Sequence, residues 1–159
     1  MKIDDEQDKK GAGVKIPPPL IFLGSILIGY LIGFIHPLRI GDSSGIMLGG
    51  SLLVALALII IIIAALSFHR VKTHLEPWKP TSTIVTGGIF AISRNPIYLA
   101  FCCANIGLGM IFNSWWILLS FMPTAILIYF FAIKPEEVYL ERKFGGEYQS
   151  YKMKVRRWL

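Results

Sequence analysis

The chain has 159 residues, 54% of them hydrophobic and only 16% charged, with a formal net charge of +6 and a mean hydropathy of +0.59. These figures exclude a water-soluble domain, a disordered tail and a disulfide-rich secreted module, which need charge spread over a hydrated surface or many cysteines. The charges are bunched instead, and the uncharged stretches between them have the lengths of membrane spans.

In chain order, residues 1–17 carry mixed charge and read as a mobile, solvated cytoplasmic tail. A cleavable signal peptide is disfavoured, because apolar residues run on past Gly29-Tyr30-Leu31 with no small-residue cleavage site. A bilayer core about 30 Å thick takes roughly 20 apolar residues per helix. The gaps from Lys15 to Arg39 and from Asp42 to Arg70 each fit one span, and the gap from Arg94 to Lys134 fits two.

The spacing predicts helices at about Pro19–Leu38, Gly45–Phe68, Ile97–Phe112 and Trp115–Ile133, with Asn113-Ser114 as a tight polar hairpin between the last two. The third is near the lower length limit and contains Asn105. The run Ile59 to Ile63 would suit a buried strand, but a lone strand in lipid leaves its backbone groups unpaired, so helix is the reading. The expected fold is all-α: a four-helix integral-membrane bundle over residues 18–133, with a cytoplasmic loop at 69–96 and an interfacial amphipathic helix at 134–159.

Lys and Arg fall as 4 before the first span, 1 after it, 4 between spans two and three, none in the hairpin and 7 after span four. With both termini and the middle loop on one side, 15 of the 16 lie there, as the positive-inside rule asks, so both termini are expected to be cytoplasmic. Topology alone thus accounts for the basicity. A nucleic-acid partner is not expected, since no helix-turn-helix, zinc or RNA-binding signature is present.

Cys102 and Cys103 are adjacent in mid-span and read as small buried apolar residues rather than a redox pair. Gly29xxxGly33 and Gly45xxxGly49 allow close helix approach, within the bundle rather than in a dimer. Pro123 is expected to kink the fourth span.

The loop from Phe68 to Tyr98 is too long to be a mere connector. It carries His69, His74, Glu76, a Thr/Ser cluster, the pair Gly87-Gly88, and Arg94 directly against the membrane. Pro96 suits the first turn of span three and biases Asn95 to an extended conformation, so Asn95 falls at an N-cap position beside a positive helix end. Tyr98 follows within that turn. A capped helix with a snorkelling Arg and an interfacial Tyr accounts for these five residues equally well. In the tail, Pro135 fits a first helical position, Glu136 and Glu137 complement the helix dipole, and Gly145-Gly146 breaks the apolar side formed with Phe144, Tyr148 and Tyr151. An amphipathic surface helix does not explain two carboxylates at the membrane exit of the last span.

Together the two clusters resemble the integral-membrane isoprenylcysteine carboxyl methyltransferases and related phospholipid methyltransferases. The resemblance rests on Thr83-Ile84-Val85-Thr86-Gly87-Gly88-Ile89-Phe90, then Arg94-Asn95-Pro96-Ile97-Tyr98, then Glu136-Glu137, Leu140, Phe144-Gly145, Tyr148, Tyr151, Val155 and Arg157. It covers the chain from Thr73 to the end.

What the resemblance implies is methyl transfer from S-adenosylmethionine to a lipophilic acceptor that reaches the site from the bilayer. Thr83, Ile84, Val85 and Phe90 would line the adenosyl pocket. Asn95, Pro96, Ile97 and Tyr98 would meet the methionine part, and Glu136 a ribose hydroxyl or the ammonium. Arg94, Glu137 and Arg157 are the catalytic candidates, and no metal is expected. A sulfonium donor is already activated, so alignment and exclusion of water are the chief tasks of such a site. A carboxylate or thiolate acceptor needs no base, whereas an amine must lose a proton.

The chain departs from the family in having Asn95 where eukaryotic members have His, Arg156 where the tail usually has Pro, and Ala132 where the prenylcysteine enzymes carry an Arg facing the substrate carboxylate. The leading reading is a protein-S-isoprenylcysteine O-methyltransferase-like enzyme, with phospholipid N-methylation or thiol S-methylation on the same fold as alternatives. A non-catalytic membrane scaffold is the alternative of another class. Transport is disfavoured because no span carries a charge between its ends.

Overall fold

A computed structural model describes residues 11–41, 43–73 and 76–159. Residues 1–10, His74 and the Asp42 that bounds the second span lie outside the described residues. Helix α1 is Pro18–Ile35, α2 is Ser44–Arg70, α3 is Pro96–Ile111, α4 is Trp115–Leu119, α5 is Phe121–Ile128, α6 is Lys134–Phe144 and α7 is Gly146–Lys154. A 3₁₀ turn at Gly88–Ala91 precedes α3, and a π-helical turn at Tyr129–Ile133 joins α5 to α6. Among the described residues there is no strand.

The helices start where local chemistry allows. Pro18 and Pro96 stand in the first turns of α1 and α3, where their missing N–H costs no ladder bond. Ser43 caps α2, its Oγ accepting from Gly45 N at 3.2 Å. Three helical stretches are long and apolar enough to cross a membrane, namely Pro18–Ile35, Ser44–Arg70 and the run from Trp115 into α6. The protein is an integral-membrane helical protein. At the expected third span stands α3, which also has 16 residues, short of the roughly 20 that a full crossing takes.

Helix α3 is the inner element, burying Tyr98, Ala100, Cys102, Ala104, Asn105, Gly107 and Gly109, whereas α2 buries only Gly50, Ala57 and Ala64. The two meet backbone to backbone. A Cβ on Gly50 would stand 2.6 Å from the Gly107 carbonyl oxygen, and one on Gly107 2.7 Å from that of Gly50. Helix α1 approaches in the same way, since a Cβ on Gly29 would lie 2.8 Å from Trp116 O. The small residues of the first span therefore pack inside the bundle, and in the second span Gly50 makes the closer approach than Gly49. One polar link crosses the interior: Asn105 Nδ2 donates to Thr124 Oγ1 at 2.7 Å, and Thr124 Oγ1 donates to Ser120 O at 2.8 Å.

The last span is interrupted twice, each time near a proline. Pro123 cannot donate to Leu119 O, and the α-helix breaks at Ser120, whose Oγ donates to Ile117 O at 2.6 Å. Pro135 cannot donate to Phe131 O, and the turn before it widens to a π-helix. The chain then continues without a gap into α6, so the tail helix is an extension of the span. It ends at Gly145, φ +52, and α7 follows.

Residues 11–17 correct the expectation of a solvated tail. Ala12 N donates to Pro77 O at 2.9 Å. Val14 is buried in one cluster with Ile21, Tyr98, Ile128, Ala132 and Ile133. This segment, the loop before α3 and the end of the chain meet at one end of the bundle, while the α1–α2 connection and the Asn113-Ser114 hairpin meet at the other.

Candidate active site

The loop is pinned to the tail by backbone. Arg94 N donates to Arg156 O at 3.0 Å, Asn95 Nδ2 donates to Arg157 O at 2.9 Å, and Tyr151 Oη donates to Phe90 O at 2.6 Å. Asn95 occupies the N-cap position of α3, but its side chain makes no cap bond. With that side chain committed to the tail, the first-turn amides of Ile97 and Tyr98 lack an intrahelical acceptor at a positive helix end.

These ties enclose a cavity of about 350 Å³, within the range of small-ligand sites. Thr83, Ile84, Val85, Phe90, Asn95, Pro96, Ile97, Tyr98 and Glu136 all line it, and so do Arg94 and Glu137. Segments far apart in sequence, with Tyr98 and Glu136 separated by 38 residues, thus form one wall. Arg157 is not in that wall. It stands behind Glu137, donating from Nε to Oε1 and from Nη2 to Oε2, both at 2.9 Å, with its guanidinium 5.2 Å from the Tyr129 ring centroid. The bidentate pair raises the Arg157 pKa further.

Glu137 also takes Arg94 Nη2 at 3.3 Å. The Arg94 side chain is only 8% exposed, and its Nε and Nη1 are buried without a partner among the described residues. Charged donors buried without an acceptor are costly.

Glu136 behaves differently. It accepts from Tyr98 Oη in a short hydrogen bond and has no cationic partner among the described residues. Burial pushes its carboxyl up to about 7, with Glu137 adding to the rise and the Tyr98 hydroxyl opposing it. Burial also raises the phenols of Tyr148 and Tyr151, the latter to about 12, so both stay neutral donors.

The sequence reading did not single out Phe68, Glu76, Trp78, Phe101 or Tyr139 as site residues, yet they line the cavity. Phe68 packs edge-on to Phe90, centroids 5.3 Å apart, and Tyr139 Oη accepts from Thr81 N at 3.1 Å. Only the density of aromatics around the two motifs hinted at them. Ala132, at the position of the prenylcysteine enzymes' Arg, is fully buried against Ile133 and Tyr98 and supplies no charge. Among the described residues no group of three His, Cys, Asp or Glu could hold a metal ion.

One end of this membrane-spanning helical protein thus holds an aromatic-lined cavity with Arg94, Glu136 and Glu137 in its wall. The profile of the phospholipid methyltransferase family matches residues 46–147, and the chain belongs to that family. An uncharacterized protein of Haemophilus influenzae is 69% identical over 29 residues, which are 18% of this chain and 46% of that relative. The chain thus spans about half the length of this curated relative. No solved structure matches the chain.

Proposed function

We propose that this protein transfers the methyl group of S-adenosylmethionine to an amine on a membrane lipid. The observation that carries this reading is Glu136, a carboxylate with no cationic partner among the described residues, in an aromatic-lined cavity where Ala132 stands in place of an Arg. A prenylcysteine carboxylate would face Glu136 with no second cation to receive it. An amine finds a partner there, and its proton finds an acceptor held near neutrality.

The residues fit the methyl donor. Its carboxylate suits Arg94, which lines the cavity, and the first-turn amides of α3. Its sulfonium suits the aromatic faces of the wall. When bound, S-adenosylmethionine supplies an activated methyl group. This chain orients the reactants, keeps water out and, through Glu136 with its Tyr98 hydrogen bond, takes up the proton that an ammonium must lose before its nitrogen can attack. Glu137 holds Arg94, and Arg157 holds Glu137. The clustering of basic residues supports a cytoplasmic location for this end of the bundle and both termini.

The test is methyl-labelled S-adenosylmethionine with purified protein in vesicles that contain phosphatidylethanolamine, or in vesicles that contain a prenylated cysteine. Base-stable label on the amine lipid is expected. Base-labile label on the prenylated cysteine alone would overturn the amine reading, and absence of saturable donor binding would overturn enzyme function, leaving a scaffold.

A further inference from the structure

The segment Gly11–Pro17 precedes the family match at 46–147, yet it touches the cavity: Ala12 and the following Pro18 and Pro19 line it, as do Pro77 and Trp78 of the loop. One backbone hydrogen bond, Ala12 N to Pro77 O at 2.9 Å, joins it to the loop. One apolar side chain, Val14, 7% exposed, seats it beside Tyr98 and Ile133.

Its two glycines differ in kind. Gly11 has φ +57, and a Cβ there would stand 2.4 Å from Lys79 O and 2.8 Å from Lys79 N, so both backbone angle and contact require glycine. Gly13 has φ +65 with nothing within 4 Å of its Cβ position, so only the backbone angle requires it and no neighbour restrains it. A fixed contact and an unrestrained pivot thus flank Ala12, the residue in the cavity wall.

We infer that Gly11–Pro17 is a strap that closes the cavity against Pro77–Lys79 and opens about Gly13 to exchange the water-soluble ligand. The attachment suits reversible closure, since among the described residues one backbone hydrogen bond joins the segment to the loop and Val14, with the partly buried Ala12, seats it. The strap lies at the end of the bundle that carries the charged loop and tail, where a polar ligand arrives from water. Naming that ligand S-adenosylmethionine, and its product S-adenosylhomocysteine, rests on the proposed function. The gate itself does not.

The test separates the two. In protein carrying Cys102→Ala, Cys103→Ala and Ile97→Cys, the new thiol lies in the cavity wall and its reaction rate with a water-soluble maleimide reports opening. Adding Gly11→Val, which collides with Lys79, is expected to speed labelling at least tenfold. Adding Val14→Ser, which only loosens the seat, should speed it less. Hydrogen exchange at Ala12 shows whether the strap has detached. In protein with native Ile97, Gly11→Val is expected to release labelled S-adenosylhomocysteine at least tenfold faster. Unchanged labelling in a protein whose Ala12 amide has lost protection overturns the gate. Faster labelling with no saturable nucleoside binding keeps the gate and overturns the donor assignment.

Discussion

The two ends of the bundle are built on opposite rules. At the hairpin end, backbone meets backbone. Asn113, at φ +50, accepts on Oδ1 from Ile40 N at 2.8 Å and Gly41 N at 2.9 Å. Trp116 Nε1 donates to His36 O at 2.7 Å, and a Cβ on Gly109 would lie 2.4 Å from Leu118 Cα. At the other end, side chains hold segments apart around a cavity, and the charges there are incompletely matched: Arg94 has spare donors, and Glu136 has only a phenol. One end spends its chemistry on shape, and the other leaves chemistry unspent for a ligand.

Three changes test that contrast. Gly109→Leu drives a side chain into the Leu118 backbone and is expected to cost more than about 3 kcal/mol, enough to leave no monodisperse folded protein in detergent. Size-exclusion profiles and helical melting check this, and a well-folded variant would break the claim that this end is closed by contact.

The pH dependence is expected to come from the site end. Glu136 has its carboxyl raised from 4.5 to about 7. Between those values the unfolded chain has released this proton while the folded chain keeps it, so this group's contribution to stability falls as pH climbs from about 4.5 to about 7 and then levels off. Unfolding curves across that range should show the fall, and Glu136→Gln should remove it. Binding of a cationic ligand, which draws Glu136 into its ionised form, should strengthen over the same interval.

Asn113→Ala is expected to cost least, about 1–2 kcal/mol, from two lost hydrogen bonds and a left-handed residue without its side-chain support. It should leave ligand affinity unchanged. A loss of affinity would show that the two ends are coupled.

The sequence carried the parts of this architecture that follow a one-dimensional rule. Charge spacing located α1, α2 and the last span within a few residues, and Pro96 and Gly145 marked the start of α3 and the break after α6. Part of the cavity wall, from Thr83 to Tyr98 and at Glu136 and Glu137, lies in the two motifs that carry the resemblance. What stayed hidden depends on contacts across long separations. Nothing local in Gly11-Ala12-Gly13-Val14 reveals that it docks on Pro77, and nothing in Arg157 distinguishes a residue in the wall from one that grips Glu137 from behind. Helix α6 was expected as a separate surface helix. Its direct continuation from the span depends on a widened turn whose register no hydrophobic period reports.

The shortness of α3 has its own consequence. Sixteen residues of α-helix rise about 24 Å, roughly 6 Å less than a bilayer's hydrocarbon thickness. Were the hairpin to lie at one interface, Pro96 would stand below the level of the opposite headgroups. Such hydrophobic mismatch is relieved by local thinning of the lipid. On the proposed function, such a dip brings a lipid headgroup toward Tyr98 and Glu136 while its acyl chains stay in the leaflet.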